Sequence, residues 1–283
     1  MTMNAADLVH DISGLVTLPD VYLRINELIE DPNSSSNDIA RVVKQDASFT
    51  MRLLKLANSA LYSFPSAIDS VDKAIAIIGT AQVRNLALSL SVARSFAGLP
   101  NDLVSMENFW KHSLLCALSA RHLAKLTRRC EPDALFTAGL LHDIGELIIF
   151  NRLPLQAKQA LLTVLDAEGE LPIYQAERAT MGFDHSAVGG ELAQAWNLPA
   201  LLKECISHHH NLVKADKHPR EVAVIHLANI IAQMAEIDST ELDDVEPIDP
   251  KAWEVTGLDA EVIEPIMRAA QGELAEVEKL FLE

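Results

Sequence analysis

Gly139-Leu140-Leu141-His142-Asp143-Ile144-Gly145 is the stretch that decides how this chain of 283 residues is interpreted. It lies within the apolar segment ALFTAGLLHDIGELIIF, residues 134–150, which predicts one long buried helix. Burying a histidine and a carboxylate without partners costs several kcal/mol. Hydrogen bonds or a metal ion must therefore satisfy the pair, and imidazole nitrogen with carboxylate oxygen suits Zn, Mn or Fe.

Further histidines stand on other predicted helices. Adjacent helical residues diverge by about 100° around the axis, so the His142-Asp143 pair needs ligands from elsewhere to enclose an ion. His112, His185 and the run 208–210 are the candidates. Any one of these alone is more often a satisfied core or surface group, and three histidines at a helix end also fit a cap that complements the helix dipole. Because one of these histidines precedes the His142-Asp143 pair along the chain and the others follow it, the combination favours a single site that they share.

The composition favours helices. Hydrophobic residues make up 49% of the chain and aromatic residues 5%, with only 11 glycines. We predict helices or helical patterns over residues 21–30, 49–61, 71–78, 83–96, 109–126, 134–150, 155–165, 173–181, 186–196, 200–207 and 222–235, with Ser35 and Asp38 opening another and two more after Pro250. This pattern predicts an all-α fold, with an N-terminal helical lobe over residues 1–100 and a helical lobe over 101–283 that carries the histidines. Residues 99–102, Leu-Pro-Asn-Asp, mark the predicted boundary.

Charge and motif content exclude several classes of function. The net charge is −17, and residues 236–283 hold 15 Asp and Glu against 3 Lys and Arg. Such a chain is poorly suited to nucleic acid backbones, although the slightly basic segment 37–94 leaves a DNA- or RNA-linked regulator open. The acidic end is interpreted as a solvated face, with a partner-binding surface as the alternative. No P-loop, dinucleotide glycine motif or Gly-x-Ser-x-Gly occurs.

Neither targeting nor disulfide chemistry is indicated. The first 15 residues lack the basic start and apolar run of a signal peptide, and no apolar run approaches the roughly 20 residues of a membrane helix. Three widely spaced cysteines form neither a disulfide framework nor a CxxC metal site. We therefore expect a cytoplasmic protein without a membrane partner.

An ordered series of segments resembles the HDOD family, a relative of the HD and HD-GYP phosphohydrolases. The resemblance covers nearly all of the first 230 residues. The segments that carry it are Leu18-Pro19, Asp31-Pro32, residues 45–50, 53–60, 74–79, 109–112, 139–145 and 184–189, the histidine run and residues 226–229. It implies an HD-domain-like helical bundle in bacterial signal transduction.

The resemblance also implies a ligand set. Catalytic HD proteins hold metal with an upstream His, the His-Asp pair, later histidines and a final Asp. The matching positions here are His112, His142, Asp143, His185, His209, His210 and Asn229. His208 is an alternative member of the histidine pair because the run of three leaves the register open.

Two positions depart from the catalytic pattern. Asn229 stands where the final Asp is expected, and a neutral amide is a poorer ligand than a carboxylate. Glu146 stands where HD-GYP enzymes have a Lys that can meet substrate phosphate, so we expect an anion that repels phosphate at this position. The GYP motif is absent. We expect a divalent metal (Fe, Mn or Zn) to bind, with a metal-free cluster left open.

These observations favour a regulatory module over an enzyme. The leading hypothesis is an HDOD module that acts by interaction with signalling proteins and has a degenerate metal site. A metal-dependent phosphodiesterase or phosphatase is the alternative, and a nucleic-acid-linked regulator is the second alternative.

Overall fold

The computed structural model describes residues 4–12, 18–59, 62, 67–96, 103–127, 129–167 and 171–282. Within these residues the secondary structure is helical and contains no strand, which confirms the predicted all-α class. The α-helices are α1 Ala5–Ile12, α2 Asp20–Glu30, α3 Ser36–Gln45, α4 Ala47–Ala57, α5 Val71–Ile78, α6 Thr80–Phe96, α7 Met106–Thr127, α8 Pro132–Leu141, α9 Ile144–Arg152, α10 Pro154–Leu165, α11 Ile173–Met181, α12 His185–Ala195, α13 Ala200–His208, α14 Pro219–Ile237, α15 Pro250–Thr256 and α16 Ile263–Leu282.

The helices divide into two packing units. One comprises Met1–Val16 and Leu99–Gly272, and the other comprises Thr17–Gly98 and Glu273–Glu283. The division differs from the predicted lobes at both ends. At the N-terminal end, α1 packs on α9 and α12, and at the C-terminal end, the residues from Glu273 group with Thr17–Gly98. The predicted boundary at residues 99–102 lies outside the described residues.

The first of these units is built around α7, which packs along both α8 and α14. Leu114 and Leu118 of α7, Leu135 of α8 and Ile230 of α14 are fully or almost fully buried. Helices this apolar are stabilised by tertiary packing more than by their own propensity. This packing brings α7, α8 and α14 together, and each of them contributes to the histidine cluster described below.

Two glycines set how closely α9 and α12 approach. A Cβ atom added to Gly145 would lie 2.0 Å from the carbonyl oxygen of His185 and 2.6 Å from the backbone nitrogen of Gly189. Only a residue without a side chain permits such a backbone contact. The first turn of α9 is therefore pressed against the first turn of α12, and Asp143 and His185 become neighbours.

The second unit contains α2 to α6. Tyr22, Ile25, Val43, Leu53 and Val83 are among its buried residues. The predicted start of α3 is confirmed, since the backbone nitrogen of Ser35 donates to Asp38 Oδ2 at 2.9 Å. The predicted break at residue 79 is confirmed too: that glycine has φ 94°, in the left-handed region.

No single helix among the described residues is long and apolar enough to cross a membrane. Only the pair Val71–Ile78 and Thr80–Ala93 meets the length and composition together, and it is bent by 111°.

Candidate metal centre

The His142-Asp143 pair lies between two helices and not within one. We predicted a continuous helix over residues 134–150, and this prediction was wrong: α8 ends at Leu141 and α9 begins at Ile144. The break lets both side chains leave the helix surface toward the same interior point. His142 is completely buried and Asp143 is 7% exposed.

Asp143 forms the middle of the cluster. Its Oδ2 lies 2.9 Å from His142 Nε2 and 3.4 Å from His112 Nε2. Its Oδ1 lies 3.3 Å from both His185 Nε2 and His209 Nε2. The Asp143 carboxylate thus contacts one histidine from each of three other places: helix α7, the start of α12 and the turn after α13.

Three sets of side chains have the spacing of metal ligands. One consists of Glu146, Glu177 and His185, and the other two share Asp143. Of these two, the first set consists of His112, His142 and Asp143. The second consists of Asp143, His185, His209 and His210. Within each set the ligand atoms lie within 4.8 Å of one another. The structure therefore brings together every charged or imidazole residue of the predicted ligand set.

Asn229 of α14 closes the first set. Its Oδ1 lies 3.0 Å from His112 Nε2 and 3.3 Å from His142 Nε2, and the residue is buried. Position 229 thus lies at the centre, as the resemblance implied, but it brings an amide oxygen without a negative charge.

His209 and His210 are the histidines of the triplet that face the centre. His210 Nε2 lies 3.0 Å from His185 Nε2, and its ring stacks on Tyr174 with centroids 4.2 Å apart. His208 instead lines a separate cavity beside Lys203 and Asn211. The end of α13 explains this split, because the chain leaves the helix between His208 and His209.

The outer nitrogen of each clustered histidine faces an oxygen atom. His142 Nδ1 donates to the carbonyl of Gly139 at 2.8 Å, and His209 Nδ1 donates to that of Ile206 at 3.0 Å. Such outer contacts orient metal-bound imidazoles in proteins, because they hold the proton on Nδ1 and leave Nε2 free for the ion.

Three glutamates face the other histidines, and two of them accept a hydrogen bond in the same way. His185 Nδ1 donates to Glu177 Oε2 at 2.7 Å, and His112 Nδ1 donates to Glu236 Oε2 at 3.1 Å. His210 Nδ1 lies 3.4 Å from Glu246 Oε1. All five Nε2 atoms consequently point toward the region around Asp143.

The side chains fit a cation because several buried polar atoms lack partners. Among the described residues, Asp143 Oδ1, His209 Nε2 and His210 Nδ1 are buried without a hydrogen bond. Buried polar atoms are rarely left in that state, since each costs a desolvation penalty. A divalent ion bound to Asp143 Oδ1 and His209 Nε2 would satisfy two of the three.

Protonation in the cluster follows the charges. Burial disfavours the charged form of His112, but hydrogen bonds to Asp143 and Glu236 outweigh it and raise its pKa to about 10. Burial and the neighbouring His210 lower the pKa of His209 to about 3. Protons and metal ions compete for the same Nε2 atoms, so we expect metal binding to release protons.

The protonation state of Glu146 differs from the expected one. We expected an anion that repels phosphate. Burial, together with the charge of Asp143, raises the pKa of Glu146 to about 8, so its carboxyl is largely protonated at neutral pH. It lies 4.0 Å from His185 Nδ1. The position therefore still lacks the cation of the catalytic pattern, but the repulsion from a full negative charge is reduced.

Sequence reasoning missed the residues that support the cluster from outside. Glu177, Glu236 and Glu246 have no motif, and Glu246 lies in the acidic segment that we interpreted as a solvated face. His226 entered the sequence analysis only as a member of residues 226–229, one of the segments that resemble the HDOD family. It donates from Nδ1 to the carbonyl of His209 at 2.9 Å and accepts at Nε2 from the backbone nitrogen of Asp249 at 3.0 Å.

Comparison with known proteins gives one family. The model of the HDOD domain family matches residues 15–212. A curated protein of Treponema pallidum (strain Nichols), described as uncharacterized, is 28% identical over 232 residues, which are 81% of this chain and 44% of that protein. The chain thus spans less than half the length of this relative.

Solved structures have the same fold. An HDOD domain protein of unknown function from Geobacter sulfurreducens is 27% identical, with a TM-score of 0.77 and 99% of each chain covered. A protein of Shewanella amazonensis SB2B, provisionally named a phosphohydrolase, is 22% identical, with a TM-score of 0.75 and 97% of each chain covered. The second likeness concerns the fold alone. The family model covers well over half of the chain, and the chain belongs to the HDOD family.

Proposed function

We propose that this chain is a signal-transduction module that acts through protein interactions and holds a divalent metal ion without hydrolysing phosphate esters. The observation that carries the proposal is the arrangement around Asp143. Five Nε2 atoms and one carboxylate converge there. Asn229 places an amide at the position where catalytic relatives have an anion, and Glu146 places a carboxyl at the position where they have a cation.

The ligand count supports a structural or sensing ion. Asp143, His185, His209 and His210 offer four ligand atoms. Four protein ligands close a tetrahedral zinc site, whereas catalytic zinc sites keep three and leave a position open for water. A bound ion of this kind would fix α9, α12 and α13 to one another.

The charges around the cluster support the same conclusion. Phosphoryl chemistry uses Lys, Arg or metal ions to stabilise the charge that develops on phosphate oxygens. Here the outer contacts of three of the five histidines, His185, His112 and His210, come from Glu177, Glu236 and Glu246. Carboxylates in these places favour cations and repel phosphate.

Metal-dependent phosphohydrolysis is the second candidate, and one observation favours it. Two ligand sets share Asp143, which resembles a site for two ions bridged by a carboxylate. Paired ions act as Lewis acids and activate water in many phosphate-cleaving enzymes. His112, His142, Asp143 and Asn229 would hold one ion, and the second set would hold the other.

Metal content and turnover on the same sample separate the two candidates. Protein purified without an affinity tag or chelator is analysed by mass spectrometry for Fe, Mn and Zn. It is then tested on phosphodiester and phosphomonoester substrates before and after adding Mn²⁺ or Fe²⁺. We expect bound metal without turnover. Variants His142→Ala and Asp143→Ala test the centre, and His208→Ala is the matched control, because this histidine lies outside it.

Each result has a definite meaning. Turnover that disappears in His142→Ala and Asp143→Ala but persists in His208→Ala would replace the proposal with the second candidate. Metal that is lost in the two centre variants, with no turnover in any sample, supports the proposal. Protein that binds none of the three metals would refute the metal centre and leave a cluster held by hydrogen bonds.

A further inference from the structure

The acidic segment that follows α14 places one carboxylate in the interior. Glu246 is 9% exposed, whereas Asp243 and Asp244 in the same segment are exposed. Burial raises the pKa of the Glu246 carboxyl above its ordinary value, so a charged carboxylate at this place needs compensating partners. Its burial in a segment where the other acids remain in solvent therefore requires an explanation.

The segment is attached on both sides of Glu246. The backbone nitrogen of Glu246 donates to Gln233 Oε1 at 3.4 Å. Three residues later, the backbone nitrogen of Asp249 donates to His226 Nε2, and His226 donates in turn to the carbonyl of His209. The segment is thus tied both to α14 and to the turn that carries two of the clustered histidines.

The carboxylate reaches both ligand sets. Glu246 Oε1 accepts a hydrogen bond from Asn229 Nδ2 at 3.3 Å. The same oxygen lies 3.4 Å from His210 Nδ1. Asn229 belongs with His112 and His142, and His210 belongs with His185, so one carboxylate links the two halves of the cluster.

Glu246 also decides which way the Asn229 amide points. An amide can present either oxygen or nitrogen, and its hydrogen bonds select the orientation. Because Nδ2 donates to Glu246, Oδ1 faces His112 Nε2 and His142 Nε2. Oxygen can ligate a metal ion, while the NH₂ group cannot. The contact therefore presents the ligand-competent side of Asn229 to the centre.

We infer that Glu246 is a positioning residue of the metal centre and supplies the negative charge that is missing at position 229. It orients Asn229, lies 3.4 Å from His210 Nδ1, and adds an anion beside a centre in which Asp143 is the carboxylate common to both ligand sets. This inference rests on the proposed metal centre. It gives the acidic segment a function beyond that of a solvated face.

Zinc affinity measured on the purified 283-residue chain tests the inference. Metal-free wild type and variants are titrated with Zn²⁺ in competition with a chromophoric chelator. Outer contacts of metal ligands typically contribute about 10–100-fold to affinity, so we expect losses in this range for Glu246→Ala and toward its lower end for Glu246→Gln. Asp243→Asn is the matched control, because it removes one charge from an exposed position of the same segment. Its affinity should equal that of the wild type.

A second readout separates positioning from a structural role. We expect the thermal midpoint of metal-free Glu246→Gln to equal or exceed that of the wild type, because the substitution removes a buried charge. The double variant Asn229→Asp with Glu246→Gln returns the carboxylate to position 229, and we expect it to regain Zn²⁺ affinity.

Several results would overturn the inference. Wild-type affinity in Glu246→Gln and Glu246→Ala would do so, as would a metal-free midpoint that falls in parallel with the affinity. Failure of the double variant to regain affinity would show that the charge at position 229 is not what Glu246 replaces. If the wild type itself bound no Zn²⁺, Mn²⁺ or Fe²⁺, the proposed metal centre would fail, and that result is distinguishable from all the others.

Discussion

Asp143 Oδ1 and His209 Nε2 face each other 3.3 Å apart, both buried and, among the described residues, without a hydrogen bond. His209 donates from Nδ1 to the carbonyl of Ile206, and its lowered pKa keeps the ring neutral. Two atoms that can only accept hydrogen bonds therefore face each other, which is unfavourable unless a cation lies between them. This pair is the most specific sign of a metal site in the structure.

Removal of the Asp143 charge should abolish metal binding at both ligand sets. Asp143→Asn keeps the size of the side chain but removes the carboxylate that the two sets share. We expect metal measured by mass spectrometry to fall to the level of a protein without a site. Asp238→Asn, at an exposed position after α14, is the control. Retention of one full equivalent of metal in Asp143→Asn would contradict the shared-ligand arrangement.

Gly145 should tolerate no side chain. An added Cβ would lie 2.0 Å from the carbonyl oxygen of His185, and neither backbone can yield without separating α9 from α12. Overpacking typically costs about 1–3 kcal/mol, so we expect Gly145→Ala, which brings a side chain against two backbones, to lower the free energy of unfolding in chemical denaturation by an amount at the upper end of that range. It should also weaken metal binding, because His185 would be displaced.

Gly272→Ala is the matched control for Gly145→Ala. Gly272 lies in α16, and an added Cβ would meet nothing within 4 Å. Alanine in place of glycine within a helix stabilises by about 0.5–1 kcal/mol. We therefore expect the free energy of unfolding to fall in Gly145→Ala and to rise in Gly272→Ala. Similar changes at the two positions would refute the steric argument.

Much of the centre was predictable because its ligands are strung along the chain in a fixed order. The resemblance assigned His112, Asp143, His185 and Asn229 to one site, and the structure places them together. The break between α8 and α9 was not predictable from periodicity. Apolar residues fill most positions of 134–150 on every side of a helix, so there is no polar face, and isolated glycines such as Gly139 and Gly145 are tolerated within helices and do not mark where one ends.

The supporting glutamates were not predictable for a different reason. Glu246 lies in a segment where most acids are exposed, Glu177 is the single acid of α11, and nothing in their sequence surroundings indicates burial. Their burial follows from contacts with residues that are distant along the chain except for His185, eight positions after Glu177. Outer contacts of a metal centre depend on tertiary packing, and a single sequence carries little information about them.

Glu177 should act on the metal through His185. Its Oε2 accepts from both the backbone nitrogen and Nδ1 of His185, at 2.9 and 2.7 Å. We expect Glu177→Gln to weaken Zn²⁺ binding by about 10–100-fold, since it removes the charge that orients this imidazole. Competition with a chromophoric chelator measures the change, and Glu191→Gln at an exposed position of α12 is the control. Equal affinities in the two variants would show that Glu177 has no such function.

Glu204 should make the stability of the chain depend on pH below its ordinary pKa of 4.5. Its carboxylate accepts from the backbone nitrogens of Asp216, Lys217 and His218, at 3.0–3.2 Å, just before α14 begins. Slight burial opposes ionisation, but these hydrogen bonds outweigh it and lower the pKa of Glu204 in the folded state. A lowered pKa means that the unfolded chain binds the proton more tightly. The contribution of Glu204 to the free energy of unfolding is therefore complete above pH 4.5 and is lost as the pH falls through its folded-state pKa.

Comparison of Glu204→Gln with the wild type at several pH values tests this sign. We expect the variant to be less stable by about 1 kcal/mol at pH 7, because charge-assisted hydrogen bonds are stronger than neutral ones and solvent screens this half-exposed group. The difference should shrink as the pH falls below 4.5, where the wild-type carboxyl takes up a proton and resembles the amide. Glu254→Gln, an exposed carboxylate on α15, should show no such dependence. A difference between wild type and Glu204→Gln that stays constant from pH 7 down to acid unfolding would mean that shape, and not charge, holds residues 216–218 in place.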